Sequence, residues 1–273
     1  MDEQTVITPD GRKLGACVWG DPGGASIFWL HGTPGSRFLR HPDDGYVSCG
    51  LRVFTYDRPG YGRSTRVPGR RAAHVADDIR AIADAYELDR FGVAGVSGGG
   101  PGALAAAALL PGRVVRCAVV CGLAPFAADG LDFSAGMAEG ERQEWRLAVQ
   151  GAAALQPCWR EFVEWVDVGM PGIAAGDRAM WIEAAYEAGR QGSSGYIDDL
   201  LSLVGEWGFA LSAVEVPTRI MVARDDTSVP AAHGQWLVRR LPAAELITVD
   251  GGHLGPRDEP EMRLLAWLGH GTA

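Results

Sequence analysis

The 273-residue chain has no apolar run that approaches the roughly 18 residues needed to span a bilayer. Its first four residues, Met1 to Gln4, are acidic and lack the basic and apolar regions of a secretory signal peptide. The five cysteines form no C-x-x-C pair of the kind that binds metals. We therefore expect a cytoplasmic protein with reduced, mostly buried thiols and no association with a membrane.

Basic charge is scarce in the middle of the chain. Residues 125–210 contain 14 Asp and Glu, 5 Arg and no Lys, so this segment accounts for the whole net charge of −9. Nucleic acid requires a basic surface, and this pattern therefore argues against a nucleic-acid partner. We predict that the acidic side chains form a solvated outer face. Carboxylates turned inward would instead favour cationic substrates and repel anionic ones.

Short β-type runs alternate with helical patterns in the first 124 residues and again after residue 210. The predicted strands cover residues 5–8, 13–19, 26–30, 53–56, 91–96, 114–120, 218–223 and 245–249. The predicted helices cover residues 72–86, 102–110, 232–241 and 260–268. This alternation predicts an α/β fold with a mostly parallel sheet and helices on both faces. The first two or three strands follow one another too closely for helices between them, so we expect an antiparallel edge there.

The middle of the chain differs because residues 126–207 show helical periodicity and no strand pattern. Apolar residues recur at helical spacing from Ile197 to Val204, and Gly205 follows as a stop signal. Five of the nine tryptophans also lie in this segment. We therefore predict an α/β core of residues 1–124 and 211–273, interrupted by an all-helical cap of residues 125–210.

A glycine-flanked serine lies between a predicted strand and a predicted helix. Residues 95–99 read Gly-Val-Ser-Gly-Gly and follow directly on an apolar run. A serine on so sharp a strand-to-helix turn has a strained backbone, and Cβ atoms two positions before and after it would collide with neighbouring atoms. The context predicts that Ser97 is a nucleophile, although the pattern alone would also fit an ordinary serine turn.

A serine hydroxyl needs a base within reach, and that base needs an orienting group. His253 lies in a glycine-containing loop after the last predicted strand, where its imidazole can reach over the sheet edge. Asp225 and Asp226 follow the strand before it, and adjacent residues leaving a strand point in opposite directions, so only one can face His253. Three other histidines suit solvated or helix-capping positions: His74, His233 and His270.

The loop after the predicted strand 26–30 reads His-Gly-Thr-Pro-Gly and can supply a backbone N–H to an oxyanion hole. Pro34 has no N–H to offer, so we predict Thr33 as this donor. The second donor would be the N–H of Gly98, the residue after the nucleophile. His31 is expected to support the loop rather than take part in the chemistry, and a simple strand-to-helix turn is the alternative interpretation.

The order Ser97, Asp226 and His253, each after a different predicted strand, resembles the α/β-hydrolase superfamily. The run Asp-Arg-Pro-Gly-Tyr-Gly-Arg-Ser at residues 57–64 and the Val-Pro pair after Asp226 complete a pattern that extends over nearly the whole chain. The resemblance implies an α/β-hydrolase fold with a helical cap. It also implies that Asp226, four residues before the proline of Val-Pro, is the triad acid rather than Asp225. The run at 57–64 is structural in such proteins and receives no catalytic role, although Arg58 could approach the site.

The residues and the resemblance together predict an esterase-like serine hydrolase that cleaves a small or medium ester or lactone through an acyl-enzyme on Ser97. Other reactions stay open: amide or N-terminal peptide hydrolysis, acyl transfer with peracid formation, and cofactor-free oxygen or C–C chemistry. A ligand receptor with little turnover is a further alternative. A serine nucleophile argues against the epoxide-hydrolase and dehalogenase mechanism, which uses aspartate. Three glycines follow Ser97, whereas proline iminopeptidases typically have tryptophan just after the nucleophile, and this difference disfavours the peptidase alternative without excluding it. We expect a small-molecule substrate and neither a metal nor an organic cofactor, while the sequence is silent on oligomeric state.

Overall fold

A computed structural model describes residues 2–41, 43–254 and 258–271. Met1 of the acidic N-terminal segment and Gly255 of the glycine loop after the last strand lie outside the described residues. Within those residues, no helix has both the length and the apolar character that crossing a membrane would require.

The described residues form one eight-stranded sheet. Its strands are β1 (Asp2–Ile7), β2 (Lys13–Gly20), β3 (Ala25–Leu30), β4 (Leu51–Tyr56), β5 (Phe91–Val96), β6 (Val114–Val120), β7 (Thr218–Ala223) and β8 (Ala244–Val249). The order across the sheet is β1-β2-β4-β3-β5-β6-β7-β8. Strand β2 is antiparallel to β1 and to β4, and all other neighbours are parallel. The predicted α/β class with a mostly parallel sheet is confirmed.

The predicted antiparallel edge is confirmed for β1 and β2 but is wrong for a third strand. A short helix, α1 (Asp43–Ser48), follows β3 and carries the chain back, so that β4 lies between β2 and β3 and runs parallel to β3. Six residues are too few to show helical periodicity, and α1 therefore could not be predicted from the sequence.

Helices cover both faces of the sheet, as predicted. They are α2 (His74–Ala85), α3 (Gly100–Leu109), α4 (Glu139–Gln150), α5 (Gln156–Asp167), α6 (Arg178–Ala188), α7 (Ser194–Val204), α8 (Ala232–Val238) and α9 (Asp258–Gly269). Side chains of α2, α3 and α8 share one buried cluster with Phe28 and Val119 of the sheet. Side chains of α1 and α9 share another with Ile27 and Val120, which point to the opposite face. The core is therefore divided into two layers by the sheet.

Four helices, α4 to α7, lie between β6 and β7, and the described residues 121–217 contain no strand. Gly205 ends α7, as predicted. The helices have an apolar cluster of their own, which includes Trp145, Leu155 and Tyr196 and which also packs against Leu123 and Val229 from the segments beside β6 and β7. The helical insertion therefore sits directly on the segments that follow those two strands.

Twelve of the 14 acidic side chains of the insertion fall into two groups, and Glu141 and Glu144 are half-buried. Nine of the 14 are exposed, in agreement with the predicted solvated face. Three are buried instead, and each forms an ion pair with an arginine from the segment between β3 and α2: Glu187 with Arg37, Asp198 with Arg66, and Asp199 with Arg58 and Arg70. These ion pairs therefore hold the insertion against the segment between β3 and α2.

The histidines expected to be solvated or capping differ from one another in the structure. His74 begins α2, and its Nδ1 accepts a hydrogen bond from the Arg71 N–H at 2.8 Å. The expectation is wrong for His233, which is only 1% exposed. Its Nδ1 accepts from the Ala124 N–H at 3.2 Å and its Nε2 lies 2.9 Å from the Phe133 carbonyl oxygen, so it joins α8 to the start of the insertion.

Candidate active site

Ser97 lies at the turn where β5 ends and the short helical turn before α3 begins. Its φ is +52°, a left-handed conformation that is strained for a residue with a side chain. A Cβ on Gly95 would lie 2.2 Å from the carbonyl oxygen of Gly99, and a Cβ on Gly99 would lie 2.5 Å from that of His31. The predicted reason for the two flanking glycines is therefore confirmed. The serine itself is half-buried.

The structure brings His253 and Asp226 together with Ser97. Nε2 of His253 lies 3.1 Å from Ser97 Oγ, and Nδ1 of the same ring lies 2.8 Å from Oδ2 of Asp226. Both distances are within hydrogen-bond reach for a nucleophile, a base and an orienting group. Asp225 is exposed instead, so Asp226 is the aspartate of the pair that faces His253.

Backbone and histidine hydrogen bonds keep Asp226 ionised. Burial raises the pKa of this carboxyl group, but the hydrogen bond with His253 and two backbone hydrogen bonds outweigh burial and hold the pKa below its ordinary value. The backbone donors are the N–H groups of Ser228 and Val229, at 2.9 and 2.8 Å from Oδ1. Nδ1 of His253 therefore faces an ionised carboxylate, and Nε2 of the same ring faces Ser97 Oγ.

Gly98 packs closely against Thr33, the other predicted oxyanion donor. A Cβ placed on Gly98 would lie 2.2 Å from Oγ1 and 3.4 Å from the backbone N of Thr33, so only glycine fits at this position. In the described part of the chain, no group accepts a hydrogen bond from the Thr33 N–H. Gly98 belongs to the first turn at the start of a helix, where N–H groups lack intrahelical partners.

A buried charge network lies behind the Thr33 loop, and no pattern in the sequence indicates it. Arg58 is 2% exposed and donates to the carbonyl oxygens of His31 and of Gly32, the latter at 2.9 Å. It also pairs with Asp199 from α7. Asp199 in turn accepts from the Thr33 hydroxyl at 2.7 Å, and further hydrogen bonds reach it from the hydroxyl of Tyr61 and from Arg70. The helical insertion thus contacts the predicted oxyanion loop through one carboxylate.

The network contains charged and neutral members. Burial raises the pKa of Asp199, but Arg58 and Arg70 outweigh burial and hold the pKa well below its ordinary value, so Asp199 is ionised. Burial and the charge of Arg58 lower the pKa of His31 well below its usual range, so this ring is neutral. His31 Nδ1 lies 2.7 Å from the Gly32 carbonyl oxygen, and its Nε2 accepts from the Arg58 backbone N–H at 3.3 Å. The predicted supporting role of His31 is therefore confirmed.

One group in the described residues could hold a metal ion. Cys121, Asp226 and His253 each offer a ligand atom, and these atoms lie within 4.8 Å of one another. Cys121 follows β6, is buried and has a left-handed φ of +47°. Because two of the three residues belong to the hydrogen-bonded Ser97 arrangement, an ion there would compete with that arrangement.

This sheet order, with a strained serine after β5 and helices inserted between β6 and β7, defines the α/β-hydrolase class of proteins. The protein family described as alpha/beta hydrolase fold matches residues 26–162, about half of the chain. The chain belongs to the α/β-hydrolase family.

Individual relatives differ in the reactions that their names describe. Epoxide hydrolase B of Mycobacterium tuberculosis is 34% identical over 138 residues, which cover 48% of this chain and 38% of that protein. The 2-hydroxy-6-oxononadienedioate/2-hydroxy-6-oxononatrienedioate hydrolase 1 of Dechloromonas aromatica is 27% identical over 81% of this chain and 77% of its own length. Among solved structures, an esterase from Exiguobacterium antarcticum superposes with a TM-score of 0.75 at 18% identity, over 98% of this chain and 99% of that chain. The last similarity concerns the fold alone.

Proposed function

We propose that this protein is a serine hydrolase that cleaves a small or medium ester or lactone through an acyl-enzyme on Ser97. The observation that carries the proposal is the hydrogen-bonded series from Ser97 Oγ through His253 to the ionised Asp226. A strained, accessible serine with a base and an orienting carboxylate has the geometry required for covalent attack on a carbonyl group.

In the first half of the reaction, Ser97 Oγ attacks the carbonyl carbon while its proton moves to Nε2 of His253. The carbonyl electron pair moves onto oxygen, and the N–H groups of Thr33 and Gly98 stabilise the resulting oxyanion. The tetrahedral intermediate then collapses. The bond to the leaving oxygen breaks, and His253 returns the proton to that oxygen, which leaves an acyl group on Ser97.

In the second half, a water molecule repeats the attack on the acyl-enzyme. His253 takes one proton from the water as the oxygen–carbon bond forms, and the oxyanion again lies between the two N–H groups. Collapse breaks the bond to Ser97 Oγ, which recovers its proton from His253. An acid is released and the enzyme returns to its starting state.

Ser97, at the turn between β5 and α3 that we call the elbow, argues against epoxide hydrolysis, the reaction named for one of the relatives. That reaction opens an epoxide by forming an alkyl-enzyme ester, which requires a carboxylate nucleophile, and residue 97 is serine. The net charge of residues 125–210 sets no preference for the charge of the substrate, because nine of the 14 carboxylates are exposed to solvent and the three buried ones pair with arginines.

We further propose that residues 125–210 act as a cap over the site. Its apolar cluster packs on Leu123 and Val229, and Val229 donates a backbone hydrogen bond to Asp226. Side chains of the cap are therefore close enough to the proposed triad to shape a substrate pocket.

The experiment compares wild type with Ser97→Ala, using a fluorophosphonate probe and a panel of p-nitrophenyl esters and lactones. We expect labelling of wild type alone, and a loss of ester turnover by more than about 10⁴-fold in the variant. Aminoacyl anilides and peracid formation are measured in parallel, and faster Ser97-dependent turnover of either would replace the ester assignment. A folded wild type that is not labelled, or near-wild-type activity in Ser97→Ala, would refute the mechanism.

A further inference from the structure

The peptide group between Gly32 and Thr33 carries the Thr33 N–H, one of the two donors proposed for the oxyanion. Its carbonyl oxygen, on Gly32, accepts a 2.9 Å hydrogen bond from the Arg58 guanidinium. A charged donor at the carbonyl end polarises the whole peptide group, so the N–H at the other end becomes a stronger donor. Arg58 is almost completely buried, and water therefore does not screen this effect.

Asp199 fixes the position of Arg58. Arg58 Nε donates to Oδ1 of Asp199 at 3.2 Å, and a terminal nitrogen of the guanidinium donates to Oδ2. This two-point contact fits the planar shapes of both groups and holds the guanidinium in one orientation. Burial lowers the pKa of Arg58, but Asp199 outweighs burial and raises it, so the guanidinium stays charged.

Asp199 also contacts the oxyanion loop directly. The Thr33 hydroxyl donates to Oδ2 of Asp199 at 2.7 Å and accepts from Arg58 at 3.1 Å. In this orientation the hydroxyl lies over the turn that begins α3, only 2.2 Å from where a Gly98 Cβ would be. One carboxylate therefore holds both the Thr33 side chain and the guanidinium that polarises the Thr33 peptide group.

We propose that Asp199, a residue of the helical insertion, is a positioning residue for the oxyanion hole. It acts through Arg58 and through the Thr33 hydroxyl, which together orient and polarise the Gly32–Thr33 peptide group. The inference rests on the proposed function, because it assigns a further role within the same site. It makes α7 part of the catalytic arrangement as well as part of the cap.

The test compares Asp199→Asn with Asp198→Asn. Asp198 is the preceding residue on α7, is also buried, and binds Arg66 through hydrogen bonds of 2.7 and 2.9 Å. Each variant removes one buried negative charge that pairs with arginine, but only Asp199 touches the Thr33 loop. We expect Asp199→Asn to lower kcat for ester hydrolysis at least about tenfold with little change in KM, because a weakened oxyanion donor affects the transition state. Asp198→Asn is expected to stay within about twofold of wild type.

A transition-state analogue separates positioning from a general structural role. Ser97 Oγ adds to a trifluoromethyl ketone, the carbonyl electron pair becomes an oxyanion, and the serine proton moves to His253. Across the variants, we expect the inhibition constant of this ketone to rise by the factor by which kcat/KM falls. The inhibition constant of the matching trifluoromethyl alcohol, which forms no oxyanion, is expected to stay unchanged.

A second pair of variants keeps the test decisive if Asp199→Asn does not fold. Thr33→Val keeps the shape of the side chain but removes the hydroxyl that contacts Asp199, whereas Thr33→Ser keeps the hydroxyl. We expect Thr33→Val to lower kcat and Thr33→Ser to restore most of it. Equal kcat in Asp199→Asn and Asp198→Asn, or a wild-type kcat in Thr33→Val, would overturn the proposal. A wild type without Ser97-dependent turnover or fluorophosphonate labelling would instead refute the proposed function itself, and this proposal with it.

Discussion

His253 Nε2 lies 3.1 Å from Ser97 Oγ, although 156 residues separate the two in the chain. The contact exists because β5 and β8 both end at the same edge of the sheet, where parallel strands present their carboxyl ends. Ser97 directly follows β5, and His253 lies in the segment after β8. The two side chains therefore meet at this edge of the sheet, each carried by a segment that follows a strand.

Replacement of Asp226 tests whether the tautomer of His253 matters. In Asp226→Asn the amide no longer stabilises a protonated ring and can hold the wrong tautomer, so we expect kcat to fall by about 10⁴-fold while the protein remains folded. The matched control is Asp225→Asn, since Asp225 is exposed and adjacent. Steady-state kinetics and urea unfolding of both variants make the comparison. Equal activity in the two variants would contradict the role proposed for Asp226.

We expect a side chain at Gly95, two residues before Ser97, to destabilise the folded protein strongly. A Cβ on Gly95 would meet the backbone oxygen of Gly99 at 2.2 Å, and backbone cannot move aside as a flexible side chain can. We expect Gly95→Ala to lower the free energy of unfolding by more than about 4 kcal/mol, or to prevent folding.

Gly140 provides the control for this prediction. It lies in the first turn of α4, and a Cβ there has nothing within 4 Å. Gly140→Ala is expected to raise the free energy of unfolding by about 0.5 kcal/mol, because alanine loses less backbone entropy than glycine in a helix. Urea unfolding measures both variants. Comparable stability of Gly95→Ala and Gly140→Ala would show that the elbow can relax.

We expect the free energy of unfolding to depend on pH through the carboxyl group of Glu144 on α4. Burial raises the pKa of its carboxyl group from 4.5 to about 7, and the neighbouring Glu141 and Glu161 add to the rise, against a hydrogen bond from Tyr196 that lowers it. The folded protein thus binds this proton more tightly than the unfolded chain does. The free energy of unfolding therefore falls as the pH rises from 4.5 to about 7, and the loss is complete above that range.

Glu144→Gln removes this titration. We expect the variant to match wild type near pH 4.5 and to be more stable by about 1 to 3 kcal/mol near pH 8, with urea unfolding as the measurement. Glu164→Gln serves as the control, because it makes the same substitution at an exposed position, on α5. A difference between Glu144→Gln and wild type that is the same at both pH values would refute the assignment.

Much of the fold could be predicted because its strands are buried. Strands such as β5 and β6 are covered by helices on both faces and appear as short apolar runs. The position of β4 between β2 and β3 could not be predicted, because strand order depends on a crossover that leaves no pattern in the local sequence.

The candidate site divides in the same way. Ser97 and Thr33 could be predicted from their immediate neighbours. Ser97 lies in a strained turn between glycines, and Thr33 precedes Pro34, which has no backbone N–H. Asp199 has no such local cause, because its partner Arg58 is 141 residues away and nothing around Asp199 distinguishes it from an exposed helical aspartate. A buried ion pair of this kind becomes visible only when both helix α7 and the turn after β4 are in place.

Strands β6 and β7 are hydrogen-bonded neighbours, although the four helices of the insertion come between them in the chain. The insertion therefore leaves and re-enters the sheet at adjacent points, so evolution could exchange it for another segment without altering the strand order. The ion pairs from α6 and α7 to the arginines between β3 and α2 restrict that exchange. If both proposals hold, a transplanted segment without a carboxylate in the position of Asp199 would support slower ester hydrolysis at Ser97.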